Sequence, residues 1–174
     1  MLIGRTEKKL VSVVIAAGAL TAPSAASANG SCARDFTANH ACAIKSPARL
    51  NGKLGTDNER DYYVFHATKG TKLRIAITDT ENPGCLLSMY SDCGSVKAEL
   101  LGSRQHEIAS TAYSSQQPGG AVRQSLSHTL ASAGTYYVIV TGSLGLVTPP
   151  PGGGNPHVLP LSYTLTVKAS PNVH

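Results

Sequence analysis

The stretch DNERDYYVFHA, residues 57–67, joins an acidic turn to a run in which aromatic and β-branched residues alternate with other types. The stretches AGTYYVIV (residues 133–140) and LSYTLTV (residues 161–167) have the same character. In GTKLRIAI (residues 70–77), Leu73, Ile75 and Ile77 alternate with Lys72, Arg74 and the small Ala76. A period of two predicts antiparallel strands that bury one face and expose the other to solvent.

Turn and breaker residues divide the rest of the chain into short segments. The predicted strands are Ala48–Leu54, Asp61–Ala67, 72–78, 86–90, 96–101, 123–130, 135–141 and 161–167. Residues 107–113 fit either a strand or a loop. Residues 148–160 contain three consecutive prolines and three consecutive glycines, which predict an exposed loop. About eight short strands predict an all-β fold, a jelly-roll-like antiparallel β-sandwich.

The order of these motifs resembles a known family. An acidic turn precedes Asp61-Tyr-Tyr-x-Phe65, a Lys69-Gly-Thr turn follows, and Ala133-Gly-Thr-Tyr-Tyr-Val138 precedes a final Tyr-Thr-Leu-Thr-Val strand. Over residues 49–168 this order resembles the bacterial pre-peptidase C-terminal (PPC) domain, a secreted β-sandwich that usually accompanies extracellular proteases. The resemblance implies an accessory module rather than a catalytic domain.

The family pattern and the alternation together assign the two faces of each strand. The residues expected to face the core are Tyr63, Phe65, Leu73, Ile75, Ile77, Leu87, Met89, Tyr136, Val138, Val140, Tyr163, Leu165 and Val167. Tyr62 and Tyr137 then face outward and form a candidate ligand platform, because exposed aromatic residues are over-represented at binding surfaces. The alternative is an ordinary cross-strand contact on a solvent-exposed sheet face.

The first 28 residues have the features of a secretory signal peptide. Basic residues between positions 5 and 9 precede an uncharged run over 10–20, and Ala26-Ser-Ala28 supplies the small residues that signal peptidase accepts. The run is too short to span a bilayer as a helix. We expect residues 1–28 to be cleaved, the protein to be secreted to the extracellular space or periplasm, and no membrane span to remain. The expected organisation continues with an irregular disulfide-tethered segment (29–47), the sandwich (48–168) and a tail (169–174).

The charge of the chain is mildly basic, with 15 Lys and Arg against 10 Asp and Glu. Residues 1–28 contain three of the basic residues and one of the acidic ones, so the remainder carries about +3. The remaining basic residues form no run along the sequence, which argues against a nucleic-acid partner.

All four cysteines follow the signal-like segment: Cys32, Cys42, Cys85 and Cys93. An even number behind a secretory signal predicts two disulfides, whereas the spacings lack the close pairs of a zinc site. Loop-closure entropy favours Cys32–Cys42 and Cys85–Cys93 among three connectivities. The second pair requires a chain reversal, because an extended segment of this length would hold the two Cα atoms too far apart.

Acidic residues in two turns form a candidate calcium site. The set consists of Asp57, Glu59, Asp61, Asp79 and Glu81. Carboxylates from two loops are ligands that Ca²⁺ accepts, although turn chemistry and solubility also select acids at such places. A second candidate role for Asp61 is to cap turn amides before its strand. No cofactor is required by the sequence.

Catalytic motifs are missing from the sequence: it contains no Gly-x-Ser-x-Gly, no His-Glu-x-x-His and no phosphate-binding loop. We therefore expect a secreted non-catalytic binding or accessory module, with an extracellular protein or polysaccharide as partner. The alternatives are a folding or secretion accessory for a partner such as a protease, and a small secreted hydrolase.

Overall fold

The computed structural model describes residues 37–56, 58–80, 91–117, 120–147 and 157–170, and this part of the chain is all-β with one short 3₁₀ turn (Ala38–His40). The strands are β1 (Cys42–Ala43), β2 (Ala48–Leu54), β3 (Asp61–Ala67), β4 (Lys72–Thr80), β5 (Ser91–Asp92), β6 (Ser95–Leu101), β7 (Glu107–Ser110), β8 (Gln116–Gln117), β9 (Gly120–Ala121), β10 (Gln124–Thr129), β11 (Gly134–Ser143), β12 (Gly145–Val147), β13 (His157–Leu159) and β14 (Leu161–Ser170).

Two main sheets form the sandwich. The five-stranded sheet has the order β1-β3-β11-β6-β7, and the four-stranded sheet has the order β10-β4-β14-β2. Smaller sheets, β13-β12-β5 and β8-β9, complete the described part. The predicted all-β architecture with antiparallel sheets is confirmed. One pairing differs, since β1 runs parallel to β3 at the edge of its sheet.

The hydrophobic core lies between the inner faces of the two sheets. The described residues expected to face inward are all buried: Tyr63, Phe65, Leu73, Ile75, Ile77, Tyr136, Val138, Val140, Tyr163, Leu165 and Val167. Leu87 and Met89 lie outside the described residues. The alternation of Leu126 with serines on β10 extends the same buried layer to the sheet edge. Burial of these side chains supplies the main driving force for the fold.

Strand boundaries differ from the sequence prediction at several places. The segment expected to be irregular, 29–47, contains β1, whose two residues are too few to produce a recognisable period. The ambiguous residues 107–113 contain β7, and the loop predicted over 148–160 ends with β13, which pairs with β12. The last strand extends to Ser170, into the expected tail. The predicted strand over 86–90 lies outside the described residues.

Cys42 and Cys93 are both disulfide-bonded. They are not bonded to each other, because β1 and β6 are three strand spacings apart, about 14 Å, and a disulfide holds its Cα atoms within about 7 Å. Cys93 also lies before the first residue of β6. The strand pairings place Cys42 level with Leu100, near the last residue of β6, so the two cysteines are far apart along the strands as well. Cys32 and Cys85 lie outside the described residues, so the pairing between neighbours stays a prediction.

Candidate binding face

The two tyrosines expected to form a platform lie on one face of the five-stranded sheet. Their strands, β3 and β11, are hydrogen-bonded neighbours, and Tyr62 lies opposite Ile139 while Tyr137 lies opposite Val64. Tyr62 and Tyr137 are therefore diagonal neighbours, within reach of each other's rings. Both are half-buried. Ile139 and Leu101 on this same face are only 2% and 6% exposed, so its centre is packed.

The acidic turn before β3 is held by Glu59. This residue is 2% exposed, and its carboxylate accepts hydrogen bonds from the backbone N–H groups of Gly55 and Thr56, the latter at 3.1 Å. Glu59 thus caps these two turn amides, and the capping role expected for Asp61 stays a prediction. Because this carboxylate is buried and engaged by two amides, it fixes the path of the chain between β2 and β3.

Asp61 takes part in a contact between the two sheets. Its carboxylate accepts a hydrogen bond from the hydroxyl of Tyr163, whose oxygen also lies 2.7 Å from that of Tyr63. Burial raises the pKa of Tyr163 far above its ordinary value, and the neighbouring Tyr63 and Asp61 add to the rise. The Tyr163 hydroxyl therefore stays protonated and donates to Asp61.

The third described acid of the candidate calcium set, Asp79, lies beside Tyr163 on the neighbouring strand and is 1% exposed. Its backbone N–H donates to the hydroxyl of Ser114 at 3.0 Å. Asp57 and Glu81 lie outside the described residues. Among the residues that the structure does describe, no group of three or more His, Cys, Asp or Glu side chains is arranged to hold a metal ion. The five-residue calcium site stays a prediction.

The outer face of the four-stranded sheet concentrates positive charge. Along each of its strands, alternate residues face the core and the residues between them face outward. The outward basic residues, all exposed, are Arg49 and Lys53 on β2, Lys72 and Arg74 on β4, and Lys168 on β14. We call the outward positions of β10, β4, β14 and β2 the basic face. Asp79 is the only acidic residue in these four strands, and it faces the core.

The remaining outward positions on the basic face are almost all hydroxyl or amide side chains. They are Asn51, Thr78, Thr80, Ser125, Ser127, Thr129, Ser162, Thr164, Thr166 and Ser170. Across the sheet, Lys168 lies directly opposite Arg74, and Arg74 directly opposite Ser127. Thr164 donates a hydrogen bond to Asn51 at 2.8 Å. The result is a polar surface that carries both cations and hydroxyl groups.

The basic face was not predicted from the sequence. Its cations come from three strands that are distant in the chain, between positions 49 and 168, and the sequence contains no run of them. The sequence did indicate one part of it: Lys72 and Arg74 alternate with the buried Leu73 and Ile75 and therefore face outward together. The strand order, which no local pattern contains, then brings the three strands together.

A concavity lies on the basic face above Ala76. It has a volume of about 150 Å³ and is lined by Arg74, Ala76, Arg123, Thr166 and Lys168. Ala76 is on the outer side of β4 but is only 2% exposed, because its short side chain forms the floor between longer neighbours. Three cations and a hydroxyl group thus surround one depression.

A second concavity adjoins the first. It has a volume of about 410 Å³, and its lining consists of three cationic residues, three hydroxyl residues, Leu73 and His128. The cationic residues are Lys72, Arg74 and Lys168, and the hydroxyl residues are Ser127, Thr129 and Ser170. Because both concavities share Arg74 and Lys168, they form one groove across β4 and β14.

The described residues contain no helix that is long and apolar enough to cross a membrane.

Comparisons with known proteins give similarity in structure only. No protein-family model matches the chain, and no curated protein matches it in sequence. Among solved structures, the pre-peptidase C-terminal domain of a collagenase from Bacillus anthracis is similar with 18% identity and a TM-score of 0.46, covering 74% of this chain and 94% of that one. PliG of Aeromonas hydrophila, a periplasmic inhibitor of g-type lysozyme, is similar with 13% identity and a TM-score of 0.42, covering 75% and 96%. The chain is thus similar in structure to a PPC domain, the family that its motifs resemble.

Proposed function

We propose that this protein is an extracytoplasmic, non-catalytic binding module and that its ligand surface is the basic face. The observation that carries this proposal is the collection of five exposed cations on three adjacent strands whose only acid points into the core. A surface with one sign of charge attracts a ligand of the opposite sign and raises its local concentration. The ligand is therefore negatively charged.

The arrangement has an energetic cost that a ligand would offset. Lys168 and Arg74 are direct cross-strand partners, and like charges at such positions destabilise a sheet. Favourable cross-strand pairs contribute about 0.2–1 kcal/mol each, and we expect the repulsion to be of similar size. The four strands provide no outward carboxylate to neutralise them. An anion bound between the two side chains would convert this repulsion into two attractive contacts.

An oxidising compartment fits the cysteine chemistry. Cys42 and Cys93 are disulfide-bonded, and stable disulfides are typical of secreted and periplasmic proteins. Together with the signal-like segment at residues 1–28, this supports a location outside the cytoplasm. The ligand that we propose is accordingly one that is met in the cell envelope or in the extracellular space.

The proposal is tested by retention of the exported chain on matrices that carry sulfated dextran, polygalacturonate or neutral dextran. We expect retention on the two acidic polymers with elution by salt, and no retention on the neutral one. The variant Arg49→Ser/Lys53→Ser/Lys72→Ser should elute at lower salt than the wild type. Its control, Arg60→Ser/Lys69→Ser/Arg104→Ser, removes the same charge from exposed positions outside the four strands.

Two results would overturn the proposal. If the wild type passes through both acidic matrices, the basic face is not a ligand surface for such polymers. If the face variant and its control lose retention equally, net charge alone determines retention.

The outer face of the five-stranded sheet is a second candidate ligand surface. The observation in its favour is that Tyr62 and Tyr137 are diagonal neighbours on hydrogen-bonded strands, and that Ile139, directly opposite Tyr62, is buried on the same face. Such a face suits an apolar or aromatic group of a protein partner, since tyrosine offers contact area at low entropy cost.

A further inference from the structure

We propose that the ligand of the basic face is an acidic polysaccharide, and that the concavity above Ala76 binds one of its sulfate or carboxylate groups. This inference rests on the proposed function and adds the ligand class and the contact point. The concavity lies where the cations of β4 and β14 meet, and Arg123 closes it from the residue before β10.

The geometry around Ala76 suits a compact anion. Arg74 and Lys168 stand directly opposite each other, and Arg123 lies on the third side, so three positive groups converge on one depression. Guanidinium groups bind planar or tetrahedral oxyanions through paired N–H donors, and an ammonium adds a third donor group. Thr166 provides a hydroxyl that can donate to the same oxyanion. A longer side chain at position 76 would fill the depression.

The adjoining concavity indicates a chain rather than a single ion. The groove continues from Arg74 and Lys168 toward Lys72, past the hydroxyl groups of Ser127, Thr129 and Ser170. A polymer with acidic groups at intervals can place one group in the depression above Ala76 and another near Lys72. The neutral sugar hydroxyls between them would meet serine and threonine side chains, which both donate and accept hydrogen bonds.

The composition of the basic face favours a polysaccharide over other polyanions. Its outward positions include no aromatic residue, and the lining of the groove adds one aromatic ring, the imidazole of the half-buried His128. Proteins that bind single-stranded nucleic acids stack successive bases on several aromatic side chains. Ala76 is its only apolar outward residue and is almost fully buried, so nothing can insert into a lipid bilayer. An acidic protein partner would be expected to meet apolar anchors at the centre of the interface, and the basic face has none.

The experiment measures affinity for acidic oligosaccharides as a function of salt concentration. The probes are sulfated dextran oligosaccharides and oligogalacturonate, with neutral dextran, single-stranded DNA of equal charge and phosphatidylglycerol vesicles for comparison. The test variant is Arg74→Gln/Lys168→Gln, and the matched control is Arg49→Gln/Lys53→Gln, which removes two cations from the same face away from the concavity. Thermal melting verifies that both variants fold.

We expect the test variant to bind at least one acidic oligosaccharide about tenfold or more weakly than the wild type. Its slope of log affinity against log salt should fall by about 2, since each ionic contact to a polyelectrolyte contributes about one. The control should also lose affinity, because Arg49 and Lys53 belong to the basic face, but by less than about threefold, because neither residue lines the groove. A third variant, Ala76→Leu, should weaken binding by filling the depression while leaving the charge unchanged.

Each other outcome overturns a defined part of the inference. Equal losses in the test and control variants would refute the concavity and leave the basic face as the ligand surface. Tighter binding of DNA or of vesicles than of both acidic oligosaccharides would refute the polysaccharide class. Failure of the wild type to bind any acidic probe would refute the proposed function itself.

Discussion

Tyr163 lies directly opposite Gly52 on the neighbouring strand, and its ring occupies the space that a side chain at position 52 would need. A Cβ atom on residue 52 would overlap the outer end of the tyrosine ring. The glycine in β2 therefore allows Tyr163 to cross the core and bring its hydroxyl to Asp61 and Tyr63 on the opposite sheet. This relationship joins the two sheets at a buried position.

Gly52→Ala should destabilise the fold by about 1–3 kcal/mol, because overpacking forces the ring or the strand to move. Urea unfolding measures the change. Combining it with Tyr163→Leu provides the control, since a shorter side chain frees the space. The double variant should then lose less than the sum of the two single changes. Strict additivity would show that the ring does not fill the space at position 52.

Alkaline pH should destabilise the protein through Tyr163. Burial raises its pKa in the folded state above the ordinary value of 10.0, so only the unfolded state releases this proton as the pH rises past that value. The contribution of the Tyr163 hydroxyl to the free energy of unfolding is complete below pH 10. Above pH 10 it is lost progressively, at up to about 1.4 kcal/mol per pH unit.

Tyr163→Phe should remove this pH dependence, and at neutral pH it should cost about 1–3 kcal/mol because Asp61 loses a buried donor. Urea midpoints for both proteins between pH 8 and pH 11 provide the measurement. The difference between them should shrink as the pH rises. A constant difference across this range would mean that Tyr163 ionises equally in both states.

Tyr62→Ala/Tyr137→Ala tests the second candidate surface. If these side chains contact a partner, the double variant should lose retention on that partner and keep most of its thermal stability. Thr135→Ala, at the outer end of the same sheet face, serves as the control. A lower melting temperature with unchanged retention would assign the tyrosines to cross-strand packing.

Calcium removal tests the predicted acidic site. We expect EGTA to leave the melting temperature unchanged, because Glu59 is engaged by turn amides and Asp61 by Tyr163. Differential scanning calorimetry with and without added Ca²⁺ decides the matter. A rise of several degrees with calcium, abolished in Asp79→Asn, would instead support a calcium site that includes Asp79.

The inner faces could be predicted from the sequence because alternation is a local property. Leu73, Ile75 and Ile77 reveal their common face within five residues, and the structure buries all three. The parallel pairing of β1 could not be predicted, because two residues carry no periodic signal. The burial of Glu59 could not be predicted either, because it depends on how the turn folds around the carboxylate, and the amino-acid sequence of the turn does not reveal that path.

The basic face shows where local reasoning ends. Three of its four strands, β2, β4 and β14, each show one or two outward cations, an ordinary pattern for a solvated surface. Only the order β10-β4-β14-β2 places Lys168 against Arg74 and leaves the face without a carboxylate. Ala76 likewise appeared exposed in the alternation, and it is buried because longer neighbours on two adjacent strands surround it.

Lysine footprinting tests the central claim, that the basic face binds an acidic polymer, most directly. The protein is acetylated briefly with and without sulfated dextran, and each lysine is quantified by mass spectrometry. We predict that the polymer protects Lys72 and Lys168, while Lys97, on the outer face of the other sheet beside Glu99, keeps its reactivity. Equal protection of all three lysines, or protection of Lys97 alone, would contradict the claim.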